Sequence, residues 1–232
     1  MLLQECRPAG ENTGFVNTRF NDGDAVQGLT YDYDVRADTE PPRKPDILNC
    51  RAWWTAFDND NKFKEIHLSL SMLHEILRQK PVDAVIGFSQ GACLATMLTA
   101  LCENNPDRMH ALSQQGDPIC IDPPQSAFHF ALLSCGFRGT AEWYDGFYTP
   151  QLTTPIMFTV ADLDTVVAPS LQDDWVTVGD RSQVIRHKGG HWFPVDKASL
   201  QKLVKFSSLH RPRSPTHIDH ILRCLNASRA QR

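Results

Sequence analysis

Nowhere does this sequence hold the run of roughly 18 or more apolar residues that a membrane-spanning helix needs, so an integral membrane protein of that kind is excluded. It also lacks an excess of positive charge. With 23 Lys and Arg against 27 Asp and Glu, the net charge of −4 provides no field for a dedicated nucleic-acid binder or a polybasic membrane-surface protein. The seven cysteines are odd in number and show neither CxxC pairs nor Cys/His spacings, which argues against a disulfide framework and a zinc site and favours reduced thiols. There is no G-x-G-x-x-G and no phosphate-binding loop, so the sequence gives no reason to expect a cofactor or a metal. Met1-Leu2-Leu3 turns polar at Gln4-Glu5, without the hydrophobic centre of a secretion signal, and a cytoplasmic location is the expectation.

What is present is an ordinary globular mixture, 41 % hydrophobic and 22 % charged, long enough for one full core. Only Gly28 to Tyr33 hints at a strand in the first forty-odd residues, and Pro41-Pro42-Arg43-Lys44-Pro45 marks a loop. From Phe63 to Gln79, apolar Phe63, Ile66, Leu70, Leu73, Ile76 and Leu77 recur at helical spacing. Pro81 ends that pattern. Val82 to Phe88 then reads as a strand buried on both faces, and a helix is expected from Gln90 to Cys102. Further strands are expected at 128–135, 155–161 and 183–186, with helices near 170–178, 197–208 and 217–226. Strands alternating with helices predict an α/β layer fold with a mainly parallel sheet, whose sites lie at the carboxyl ends of the strands.

Gly87-Phe88-Ser89-Gln90-Gly91 falls between a predicted strand and a predicted helix, the context that turns a loose G-x-S-x-G match into a nucleophile elbow. Such a turn leaves no room for a Cβ at Gly87 or Gly91, and it presents the serine hydroxyl to the cleft. The helix starting at Gln90 points its free amides at the same place, so the Gln90 backbone N–H is the expected oxyanion donor. A serine needs a base, and the base needs a carboxylate, in the chain order Ser, Asp, His.

His191, in Gly189-Gly190-His191-Trp192, follows the fourth strand and is the expected base. Its rival His187 belongs to that strand, while His67, His74, His217 and His220 fall on helices. Two carboxylates compete for the acid, Asp162 and Asp164, in the segment after the third strand. Asp173 and Asp174 suit the first turns of the next helix. Trp143 and Phe147, between the second and third strands, are candidates for a substrate wall, against plain aromatic packing. Cys93, one turn after Ser89, reads as helix packing.

Arg51-Ala52-Trp53-Trp54, Val82 to Ala92, Asp164-Thr165-Val166-Val167 and Gly189 to Pro194 together resemble the fungal serine hydrolase (FSH) family of the α/β-hydrolase superfamily, which includes thioesterase-like members from polyketide clusters. The resemblance runs from about residue 29 to 205, so residues 29–232 are expected to form the α/β-hydrolase domain behind a divergent segment, 1–28. It implies a triad of Ser89, Asp164 and His191, preferring Asp164 to Asp162. It further implies an ester or acyl-thioester substrate, fatty-acyl or polyketide, carried in some cases by an acyl carrier protein. Family members open with a strand running into a His-Gly loop that supplies an oxyanion amide, and no His-Gly dipeptide occurs near this start. The first strand and its loop are therefore expected to be missing or altered, and a hydrolase-fold binding protein with impaired catalysis is the alternative reading.

Overall fold

The computed structural model describes residues 52–54, 62–114 and 122–210. The hints at 28–33 and 217–226, the proline loop, the segment 1–28 and Arg51, His217 and His220 lie outside them.

Four parallel strands form one sheet in the order β1 (Ala84–Phe88), β2 (Phe130–Ser134), β3 (Ile156–Ala161) and β4 (Ser182–His187). The registers pair Ile86 with Leu132, Leu132 with Met157, and Met157 with Gln183. Parallel neighbours need crossovers, and helices provide them. α1 (Ile66–Gln79) precedes β1; α2 (Gln90–Cys102) and α3 (Pro106–Ser113) join β1 to β2. A 3₁₀ turn, Glu142–Tyr144, runs into the short α4 (Asp145–Tyr148) before β3. α5 (Pro169–Trp175) and the 3₁₀ turn Val176–Val178 lead to β4, and α6 (Lys197–His210) follows it.

Alternation along each strand divides the core into two layers. Val85, Ala131, Leu133, Ile156 and Phe158 face a large cluster with α1, α2, α3, α4 and Trp175 of α5. Ala84, Phe130, Leu132, Met157 and Ile185 face Leu203 and Phe206 of α6 on the other side. β2 and β3, the inner strands of the described sheet, are buried along their whole length and β1 along most of its own, whereas β4 leaves Val184 43 % exposed. α2 is buried from Gly91 to Cys102, and its two threonines satisfy their hydroxyls by donating to the Ala92 and Ala95 carbonyls.

The observed elements differ from the expected ones in instructive places. β1 starts at Ala84 rather than Val82, because both backbone groups of Val82 are taken by the Gln125 side-chain amide, at 2.9 and 2.8 Å. α3 and α4 have no counterpart in the sequence reading. α3 nevertheless carries a local signature: Asn105 accepts from the Asp107 and Arg108 amides at 3.1 Å, and Pro106 occupies the first turn. Arg108, fully buried, pairs with Glu103 at 3.0 Å and donates to Pro150 O, while Glu103 accepts from the Thr153 and Thr154 amides. This network ties α2 and α3 to the loop entering β3. Among the described residues no helix is long and apolar enough to cross a membrane.

Candidate active site

The carboxyl ends of β1, β2, β3 and β4 deliver Ser89, Cys135, Asp164 and His191 to one edge of the sheet. Ser89 sits between β1 and α2 with φ 54° and ψ −124°, a conformation that disfavours L side chains by about 1–3 kcal/mol. It is fixed there by its N–H, which donates to Ser134 O at 2.9 Å, and by its carbonyl, which accepts from the Ala92 and Cys93 amides. Gly87 makes the turn possible. A Cβ there would lie 2.6 Å from both Ala92 Cα and Gly91 O. Gln90 opens α2, so no carbonyl within the helix reaches its N–H, and that donor stays available beside Ser89. The Gln90 side chain accepts from the Trp53 amide at 3.2 Å and donates to Trp54 O at 3.3 Å, which anchors the Trp53–Trp54 segment against the elbow.

His191 lies on the loop after β4. Its Nε2 is 2.9 Å from Ser89 Oγ, its Nδ1 is 2.8 Å from Asp164 Oδ2, and its ring sits 4.8 Å from that of Phe88. The glycines before it are closely approached by side chains: a Cβ on Gly189 would meet His187 Nδ1 at 2.7 Å and the Trp192 ring at 2.8 Å, so those side chains would have to shift. Gly189 O also accepts from Leu163 N–H, tying this loop to the one bearing Asp164.

Asp164 Oδ1 accepts from the Val166 and Val167 amides at 2.8 and 2.9 Å, and Oδ2 accepts from Gln172 Nε2 at 3.0 Å as well as from His191. The Asp164 side chain has no exposed surface. Burial alone pushes its carboxyl up, but the hydrogen bonds from His191, Val167 and Val166 outweigh that and hold it below the ordinary carboxylate value. The structure thus separates the two competing acids. Asp162 pairs instead with Arg186 at 2.8 Å, and Arg186 also pairs with Asp173. Asp174 pairs with Arg138 at 3.4 Å.

Gln172 was not singled out by sequence reasoning. Completely buried on α5, it accepts from Ala161 N–H at 3.1 Å and donates to both Asp164 Oδ2 and Val167 O, so it holds the acid loop against the end of β3. The available signal was its spacing three residues before the buried Trp175, which places a polar amide on the helix's inward face.

The remaining candidates fall into place around this centre. His187 ends β4, its Nε2 buried without a hydrogen-bond partner among the described residues, and burial lowers its pKa. His74 bonds Asp122 O at 2.7 Å on α1. Cys93 is completely buried and its thiol is pushed far up by desolvation. Trp143 and Phe147 are both buried in the large core cluster, with ring centroids 5.8 Å apart and Tyr144 edge-on to Trp143.

With this geometry established, the serine hydrolase (FSH1) family model matches residues 20–203. The chain belongs to the serine hydrolase (FSH1) family. As a family member it shares 26 % identity over 170 residues with esterase OVCA2 of Xenopus tropicalis, covering 68 % of this chain and 66 % of that protein. It is also 30 % identical over 143 residues to a protein of Schizosaccharomyces pombe named dihydrofolate reductase, covering 61 % of this chain and 29 % of that one. The chain therefore spans just under two thirds of the first relative's length and under a third of the second's. Among solved structures, acyl-protein thioesterase 2 of Zea mays aligns with a TM-score of 0.48 at 16 % identity, over 69 % of this chain and 73 % of that one.

Proposed function

We propose that this chain hydrolyses carboxylic esters or acyl thioesters through an acyl-enzyme on Ser89. The observation that carries the reading is the unbroken line from Ser89 Oγ to His191 Nε2 at 2.9 Å and from His191 Nδ1 to Asp164 Oδ2 at 2.8 Å. In this mechanism Nε2 takes the Ser89 proton as Oγ attacks the substrate carbonyl. Asp164 accepts the Nδ1 proton's hydrogen bond, fixing the tautomer that leaves Nε2 free, and its charge stabilises the imidazolium. The Gln90 N–H receives the developing oxyanion, a contribution of about 2.7–4 kcal/mol for a donor of this type. His191 then gives its proton to the departing alkoxide or thiolate, and a water repeats the sequence to release the acid.

Resemblance to thioesterase-like family members supports an acyl chain of fatty-acid or polyketide type and an acyl carrier protein as one donor, and the odd, unpatterned cysteines support a cytoplasmic setting. Trp143 and Phe147 enter the proposal as backing for the acyl side of the site, with core packing as their first role. Activity is tested by comparing hydrolysis of an oxygen ester, a free acyl thioester and an acyl group on carrier protein. Ser89→Ala is expected to lower turnover by about a million-fold. The alternative, a non-catalytic binding protein, is disfavoured by the satisfied hydrogen bonds of Asp164, and it predicts equal background rates for both proteins.

A further inference from the structure

The sequence holds no metal-binding spacing, yet among the described residues the fold assembles one set of metal-ligating side chains that hydrolysis does not need as a set. Cys135 follows β2, with φ 49°, a left-handed conformation that a non-glycine residue adopts at a cost. It is completely buried, and its Sγ is 3.5 Å from Trp192 O, next to His191. Sγ of Cys135, a carboxylate oxygen of Asp164 and a ring nitrogen of His191 all lie within 4.8 Å of one another. The proposed reaction uses the Asp164 and His191 atoms and gives the thiol no role.

We infer that Cys135, Asp164 and His191 form an inhibitory site for a thiophilic divalent cation, with zinc as the type ion. Thiolate, imidazole and carboxylate are the ligands zinc takes in proteins, whereas magnesium and calcium prefer all-oxygen sites. Tetrahedral bonds of about 2.0–2.3 Å place ligand atoms roughly 3.5 Å apart. Asp164 Oδ2 and His191 Nδ1, now 2.8 Å apart, must open slightly, and the wider separations must close by about 1 Å. The side chain of His191 is 16 % exposed, so ions can approach from that side.

The chemistry balances without a redox partner. The ion displaces the thiol proton of Cys135 to solvent and forms a metal–sulfur bond. It takes the Nδ1 lone pair of His191, and the ring proton moves to Nε2. That nitrogen then carries a hydrogen where it must accept one from Ser89, so the nucleophile loses its base.

The inhibition rests on the function proposed above, but binding of the ion does not, and the test separates them. Zinc chloride in the micromolar range is expected to suppress ester hydrolysis by the full chain at least tenfold, with full recovery on adding a chelator. Magnesium at a hundredfold higher concentration should leave the rate unchanged. Cys135→Ser is expected to keep the zinc-free rate and lose at least tenfold in zinc sensitivity. Cobalt(II) added as a spectroscopic stand-in should give a thiolate-to-cobalt charge-transfer band in the wild type and in Ser89→Ala, and none in Cys135→Ser or Cys135→Ala. The band in wild type that shows no esterase activity would uphold the site and defeat the functional reading. Absence of the band from folded wild type would overturn the inference, as would zinc inhibition or a band that survives both cysteine variants.

Discussion

Asp164→Asn isolates the contribution of one charge with almost no change in shape. In the native site both Asp164 oxygens act only as acceptors, for four donors: the Val166 and Val167 amides, Gln172 Nε2 and His191 Nδ1. An asparagine can keep its carbonyl toward the two backbone amides, but its NH₂ then faces Gln172 Nε2 and His191 Nδ1. Gln172 cannot reverse its amide without giving up the bond from Ala161 N–H. His191 can adapt only by accepting at Nδ1, which moves its proton to Nε2 and faces Ser89 with a donor. The same tautomer error in the serine-protease triad lowers kcat about 10⁴-fold, which at 1.36 kcal/mol per tenfold is roughly 5.4 kcal/mol. The buried Gln172 donor left unpaired costs about 1–3 kcal/mol of stability. At about 2–4 °C per kcal/mol for a chain of this size, Tm should fall by roughly 2–12 °C. Steady-state hydrolysis of a chromogenic ester and thermal unfolding read the two effects separately. A variant within tenfold of the wild-type kcat would refute the assignment of Asp164 as the residue that sets the His191 tautomer.

Other perturbations probe the supports of the site. Gly87→Ala should abolish activity and lower Tm sharply, since the added methyl meets backbone atoms at 2.6 Å that cannot move without deforming the elbow; ester turnover and calorimetry check this. Gln172→Leu removes a partner from Asp164, Ala161 and Val167 together and is expected to cost about 1–3 kcal/mol in urea unfolding, with kcat falling while KM holds. Because the Asp164 carboxyl is lowered on folding, its stabilising contribution is present above the ordinary carboxylate pKa of about 3.9 and is lost as pH falls through the folded value. Urea midpoints of wild type and Asp164→Asn should therefore converge toward acid and separate toward neutral pH. Cys102 and Cys135, pushed up to about 12 and about 11 mainly by burial, should resist alkylation by iodoacetamide in the folded protein at pH 8 and react once it is unfolded, as read by peptide mass.

How far the sequence reaches depends on how local the signal is. That Ser89 and His191 come together was legible because each follows a recognisable strand and sits in a glycine-bearing turn, of which Gly87 has no room for a Cβ. Local pattern only leaned to Asp164 over Asp162, since what engages Asp162 is an ion pair to Arg186, 24 residues away. Gln172 was missed because a glutamine on a short helix reads as a surface residue until the fold turns it inward. α3 was missed although Asn105 and Pro106 mark its start, because its eight residues carry few apolar repeats. The pairing of Cys135 with Asp164 and His191 is a property of the sheet order alone, which sets the ends of β2, β3 and β4 side by side.

The central claim, that Ser89 is a nucleophile activated by His191, is tested most directly by treating the full chain with a fluorophosphonate probe and mapping the adduct by mass spectrometry. The account predicts one adduct on Ser89, absent from His191→Ala and strongly slowed in Asp164→Asn. A folded protein that takes no label, or takes it at another residue, would contradict it.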